Sequence, residues 1–183
     1  HMAKLVSKTY GEALFELAVE ENQVDVFMEE ITGLQEVLAK NKDFGKFMNH
    51  PKILKEEKVQ VLQNVLKGRI SDELTGFLTL IVTKDRYGEI DGILDYFQAE
   101  VKEYKGIGIA DVTTATQLRE DQKAQIEQKL LQTTSYKKME MHYAVDESLI
   151  GGMVIRIGDR VVDSSIKTRL NELTRQLMKI QLS

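Results

Sequence analysis

The sequence predicts an α+β protein, an N-terminal six-helix bundle followed by a small C-terminal α/β domain of order β-α-β-β-β-α. Two observations carry that expectation. Apolar residues recur at helical spacing through about the first hundred positions, a stretch that holds the single proline of the chain, Pro51. After Lys105-Gly106-Ile107-Gly108 the pattern changes to short Val- and Thr-rich or alternating runs. The predicted domains are therefore 1–105 and 106–183.

Val6, Tyr10, Ala13, Leu14 and Leu17 trace the first helix, and Val24, Phe27, Met28, Ile31, Leu34 and Leu38 the second, starting at Asn22 or Gln23. Phe44, Phe47 and Met48 make a short third helix. His50-Pro51 stops it, because proline disfavours helical geometry in the residue before it. Val59, Leu62, Val65 and Leu66 mark a fourth helix ending at Gly68. Ser71 caps the fifth, with Asp72 and Glu73 where carboxylates complement the helix dipole. Its buried face is Leu74, Phe77, Leu78, Ile81 and Val82. Ile90, Ile93, Leu94, Phe97 and Val101 carry a sixth helix over about 87–104. Short connections between them imply antiparallel neighbours.

In the C-terminal part, 109–115 reads as a strand, 119–131 as a helix, and Met139, Met141, Tyr143 and Val145 as a half-buried strand. Residues 153–157 and 160–162 flank Gly158-Asp159, a two-residue turn of the kind that closes hairpins. Asp163 and Ser164 can cap a last helix with Ile166, Leu170, Leu173, Leu177 and Ile180 on its seam. No internal repeat stands out.

Composition narrows the function. The chain has 183 residues, 42% hydrophobic and 30% charged, enough to bury a core. A net charge of -4 argues against a nucleic-acid binder, which needs a basic face to displace counterions. The absence of cysteine excludes disulfides and thiolate metal sites. The longest apolar stretch, near 77–82, is far too short to span a bilayer, and no signal-peptide apolar core opens the chain. Any membrane association is expected through partners.

Groups for chemistry are sparse. His50 and His142 stand without another His or Cys at ligand spacing. Gly106-Ile107-Gly108 begins like a dinucleotide loop, but Asp111 occupies the third glycine position and no helix opens there. Gly151-Gly152 is not followed by the Gly-Lys-Ser/Thr of a phosphate loop. Glu20-Glu21, Glu29-Glu30 and Glu56-Glu57 are adjacent on helices, so their side chains diverge by about 100° and read as solvated faces. No catalytic residue, cofactor site or metal site is expected.

The anomaly is a surplus of apolar surface. On the first helix Val6, Tyr10, Ala13 and Leu17 cluster on one side, Phe15, Ala18 and Val19 on another, and Leu14 between them. On the fifth, Leu80 points away from Leu74, Leu78 and Ile81, with Gly76 beside it. Two readings fit. These helices could be central in the bundle, or they could border a groove for an amphipathic partner helix, with small residues such as Ala13 and Gly76 allowing close approach. The last helix poses the same choice, packing on the sheet with Lys167, Arg169, Arg175 and Lys179 as a solvated rim being the favoured reading.

Tyr10-Gly11-Glu12-Ala13-Leu14-Phe15-Glu16-Leu17-Ala18 resembles the opening helix of ATP synthase delta subunits and of the mitochondrial oligomycin-sensitivity-conferring protein. His50-Pro51 with Ile53 and Lys58, and Asp85-Arg86-Tyr87 with Ile90 and Phe97, are similar to later helices of that family. The most specific likeness combines Leu149-Ile150-Gly151-Gly152, the alternating 153–157, Gly158-Asp159 and the helix start Asp163-Ser164-Ser165. Ser164 departs from the glycine usual in the family. The resemblance runs from about Leu5 to Leu177 and implies a non-catalytic peripheral-stalk subunit of an F-type, proton-translocating ATP synthase. It implies that the bundle receives the N-terminal helix of an alpha subunit between its first and fifth helices. Val6, Tyr10, Ala13, Gly76 and Leu80 are then the expected contacts. It also implies that the C-terminal domain meets the b subunits, and that the protein sits peripherally at the cytoplasmic face of a bacterial cell membrane. An unrelated helical adaptor is the alternative reading, and an enzyme with an unrecognised site a further one.

Overall fold

Seven helices and a three-stranded sheet make up the described residues, 1–149 and 153–157, of the computed structural model. The chain divides into two compact units, residues 1–101 and 102–183. It is a mixed α+β protein.

The first unit begins with α1 (Met2–Glu20), α2 (Val24–Lys40) and α3 (Lys42–Met48). Asn22 takes a left-handed conformation (φ 55°) between the first two, a geometry that asparagine tolerates better than most residues. α3 ends two residues before His50. There the Lys52 N–H donates to His50 Nδ1 at 3.1 Å, so this histidine serves a turn. α4 (Lys55–Leu66) gives way to Gly68 at φ +77°. α5 (Asp72–Thr83) starts at Ser71, whose hydroxyl accepts from the Leu74 N–H at 3.4 Å. A carboxylate from α2 joins this cap, since the Ser71 N–H donates to Glu30 Oε2. The helix predicted from residue 87 instead opens as a 3-10 turn, Tyr87–Glu89, before α6 (Ile90–Tyr104).

Leu14, Phe27, Ile31, Leu74, Ile81, Ile93, Leu94 and Phe97 are wholly buried in a single apolar core to which α1, α2, α5 and α6 all contribute. α1 lies against α6 through small residues. A Cβ on Gly11 would stand 2.7 Å from Tyr96 Cδ1, and one on Gly92 would meet the Ser7 hydroxyl at 2.3 Å. The Tyr96 hydroxyl also donates to Glu12 Oε1 at 3.2 Å.

In the second unit, β1 (Ile107–Thr114) is the middle strand of the order β2-β1-β3. β2 (Lys138–Val145) runs parallel to it, with Ile107 opposite Lys138 and Thr114 opposite Val145. β3 (Met153–Ile157) is antiparallel, with Val112 opposite Ile155. A parallel pair needs a crossover, and α7 (Glu120–Thr133) supplies it. Gln122, Ile126 and Leu130 are the buried residues of α7; Ile126 and Leu130 join a core that includes Ala110, Val112, Met153 and Ile155, while Gln122 Oε1 accepts from the Arg119 N–H at 3.0 Å. β1 begins two residues earlier than the sequence predicts and follows Gly106, whose φ of +74° favours glycine. The hairpin turn Gly158-Asp159, the strand over 160–162, the Gly151-Gly152 pair and the last helix lie outside the described residues.

Candidate functional site

α1 and α5 meet at Tyr10 and Phe77, whose rings pack edge to face with centroids 6.5 Å apart and planes at 68°. Everything of interest on these helices is placed relative to that contact. At about 100° per residue, Ala13 and Met2 lie roughly 60° and 80° to one side of Tyr10, with Thr9 and Leu5 beyond them. All four are exposed, Met2 at 68% and Leu5 at 60%. Gly11 and Ala18 lie to the other side and are buried. The Gly11–Tyr96 contact therefore fixes the rotation of α1, and turns the Met2, Thr9 and Ala13 strip outward.

α5 repeats the arrangement. Leu74, Leu78 and Ile81 are buried to one side of Phe77, whereas Leu80 (44% exposed) and Gly76 lie on the other. Apart from its chain neighbours and the backbone of α5 itself, no heavy atom stands within 4 Å of where a Cβ on Gly76 would be, so no other element covers that point. Each exposed strip thus borders the Tyr10–Phe77 pair on the side away from the core. The line where α1 and α5 meet, marked by the two rings, is the α1–α5 seam.

The five residues singled out in the sequence take different places. Ala13, Gly76 and Leu80 are exposed beside the seam, and Tyr10 is half-buried at it. Val6, expected among the contacts, instead belongs to the core at 7% exposure, its side chain taken up by the bundle. Part of the apolar surplus of α1 is used internally, because Phe15 and Leu17 pack against the core. Met2 and Leu5, which the helical pattern did not single out, are the most exposed large apolar residues of the helix. Their signal was position: both precede the first core residue, Val6, by whole or partial turns.

Little else resembles a reactive site. Among the described residues no three His, Cys, Asp or Glu side chains gather as metal ligands. His142, which sequence spacing leaves alone, has a carboxylate beside it: Nε2 is 3.4 Å from Glu140 Oε2, two residues away on the same strand face. Glu140 also accepts from Lys102 Nζ at 3.0 Å. Burial raises the Glu140 carboxyl, but the hydrogen bonds from Lys102 and His142 outweigh it and hold it below the usual glutamate range. Exposed enough to be solvated, the cluster is an ion-pair network on a sheet. No helix of the described residues is long and apolar enough to cross a membrane.

Comparison with known proteins gives this geometry a context. Residues 6–177 match the family model described as ATP synthase delta (OSCP) subunit. The chain is 58% identical to the ATP synthase subunit delta of Lachnoclostridium phytofermentans, across 99% of this chain and all of that one. It is 38% identical to the subunit delta of Desulforamulus reducens, covering 94% of this chain and 95% of that one, and 33% identical to that of Acetivibrio thermocellus, covering 96% and 99%. A chain in the cryo-EM structure of the Toxoplasma gondii mitochondrial ATP synthase hexamer shares the fold, with a TM-score of 0.64 at 23% identity over 94% of this chain and 97% of that chain. Matches of this length, in one order from end to end, leave no support for an unrelated helical adaptor. The chain belongs to the ATP synthase delta (OSCP) subunit family, the non-catalytic peripheral-stalk components of F-type ATP synthase.

Proposed function

We propose that the α1–α5 seam seats the N-terminal amphipathic helix of an alpha subunit, and that the C-terminal part grips the b subunits. In this reading residues 1–105 form a six-helix bundle that holds the catalytic head. Residues 106–183 complete a β-α-β-β-β-α domain on the side of the membrane sector. The protein works at the cytoplasmic face of a bacterial cell membrane and reaches it only through its partners. Its work is mechanical. Rotation of the central shaft drags the head along unless a stator resists, so both grips must hold under load for ion flow to drive ATP synthesis.

The observation that carries the head-side grip is the pair of exposed apolar strips beside Tyr10 and Phe77. An amphipathic helix can bury its apolar stripe against such strips, and small residues let its backbone approach. Ala13 and Gly76 supply them, with Met2, Leu5 and Leu80 as apolar flanks. Glu16 and Glu20 continue the exposed side of α1 and give the seam a charged end, which sets register and on-rate more than affinity.

The test is a calorimetric titration of the alpha N-terminal peptide into the full chain and its Ala13→Asp variant. An unpaired carboxylate in the seam should weaken binding by several kcal/mol, with the circular dichroism of the free protein unchanged. Unaltered affinity would remove Ala13 from the interface. For the whole assembly, deletion of the gene should uncouple ATP hydrolysis from ion transport in membrane vesicles, and coupling that survives it would contradict the stator role.

A further inference from the structure

The first unit has an apolar opening that plays no part in the seam. It is a cavity of about 280 Å3 walled by α2, α3, α4, α5 and the start of α6. On α5 it is lined by Leu78, which lies about 200° around the helix from both Gly76 and Leu80. The cavity and the exposed Gly76 and Leu80 therefore use opposite sides of α5. Buried Leu62 and Leu66 form the base, and Val37 and Val65, 53% and 38% exposed, stand at the rim.

The polar groups of this cavity are few and uneven. Asn41, Tyr87 and Arg69 are the lining residues that are not apolar, and Arg69 alone carries charge. Gly68, at φ +77°, turns the chain after α4 and sets Arg69 at the cavity edge. The Arg69 guanidinium makes no ion pair or hydrogen bond among the described residues. Burial, and then the nearby Asp91 carboxylate, push the Tyr87 phenol up to about 12, so it remains a neutral hydroxyl.

We propose that this cavity binds a small single-chain amphiphile with a monoanionic head, of the medium-chain carboxylate class. The apolar wall takes the tail, and the Arg69 fork pairs with the head. An apolar cavity alone would accept any greasy body. Arg69, an exposed residue on the lining, would select for an anion, since a guanidinium matches a carboxylate through two parallel hydrogen bonds and repels a cation. The volume of about 280 Å3 falls just below the roughly 300 Å3 at which cavities for drug-sized ligands begin. It is too small for a partner helix about 10 Å across, and suits one short chain.

Decanoate, decanamide and decyltrimethylammonium are the probes, titrated into the 15N-labelled full chain and followed by amide shifts. Decanoate should saturate, moving amides of Val37, Val65, Arg69 and Leu78, and the cation should not. Arg69→Gln should weaken decanoate about tenfold, the effect of losing a charge-assisted pair, while leaving decanamide unchanged. Val65→Trp should fill the rim and abolish the binding of both, with Val37→Trp as the alternative if the first variant does not fold. Equal binding of anion and cation, or decanoate binding that survives both tryptophan variants, would overturn the assignment. So would dilution-dependent shifts of the same amides without any probe, which would give the cavity to a second copy of the chain.

Discussion

α1 and α7 are both amphipathic helices laid against a core, yet they spend their apolar residues differently. α7 buries Gln122, Ile126 and Leu130 in one stripe, and the rest of its surface is mostly charged or amide-bearing. Its apolar content matches what the sheet can cover. α1 buries Val6, Gly11, Leu14 and Ala18, packs Phe15 and Leu17 partly, and still presents Met2, Leu5, Ala13 and Val19 to solvent. The excess of apolar residues on α1 over what its own unit covers is what the proposed seat for a partner helix rests on. That inference needed both helices, because an exposed leucine alone means nothing.

The contrast can be broken by truncation. Leu14→Ala and Ile126→Ala each remove a wholly buried side chain and should lower stability by about 3 kcal/mol, seen as an earlier urea midpoint. Leu80→Ser should shift that midpoint hardly at all, within ~0.5 kcal/mol, yet weaken the alpha peptide. If Leu80→Ser proved as destabilising as Leu14→Ala, α5 would have no outward face to spare. Gly11→Ala comes next, at about 2 kcal/mol for overpacking, because its new methyl would sit 2.7 Å from Tyr96 Cδ1. It should also loosen α1 against α6 and reduce peptide affinity, which links stability to binding in a single variant.

Ser71→Ala removes the hydroxyl that accepts from Leu74 N–H and should cost about 1 kcal/mol. The smallest effect belongs to the sheet. The Glu140 carboxyl is held below the usual range in the folded chain, so its contribution is present above the unfolded glutamate value and is lost as pH falls through the lower folded one. At 38% exposure solvent screens the pair to below ~1 kcal/mol. Lys102→Met should flatten that acid-side slope in a pH series of melting curves.

Much of the molecule was legible because local chemistry decides it. Ser71 with Asp72 and Glu73 announces a helix start, Gly68 a helix end, and the alternation of 139, 141 and 143 a half-buried strand; all three appear. The 3-10 opening at Tyr87 was missed because apolar spacing does not distinguish a tight first turn from an α-helical one. The seam was half legible. Periodicity exposed the surplus on α1 and α5, but could not say that Phe15 and Leu17 would be absorbed by the core while Met2 and Leu5 stayed outside. That sorting depends on how α1 is rotated, which Gly11 and Tyr96 settle across 85 residues of sequence. The cavity beside Arg69 was not legible at all, since five separate segments must assemble before it exists.

The interlock of α1 with α6 has a mechanical consequence. Gly11 receives the Tyr96 ring and Gly92 receives the Ser7 hydroxyl, so each helix carries a notch filled by a tooth of the other. A notch and a tooth four residues apart on each helix resist sliding along the axis better than a smooth apolar stripe of equal area would. A tug transmitted to the outward strip of α1 would meet this engagement in shear, where many contacts must yield together, instead of in peeling, where they yield one at a time.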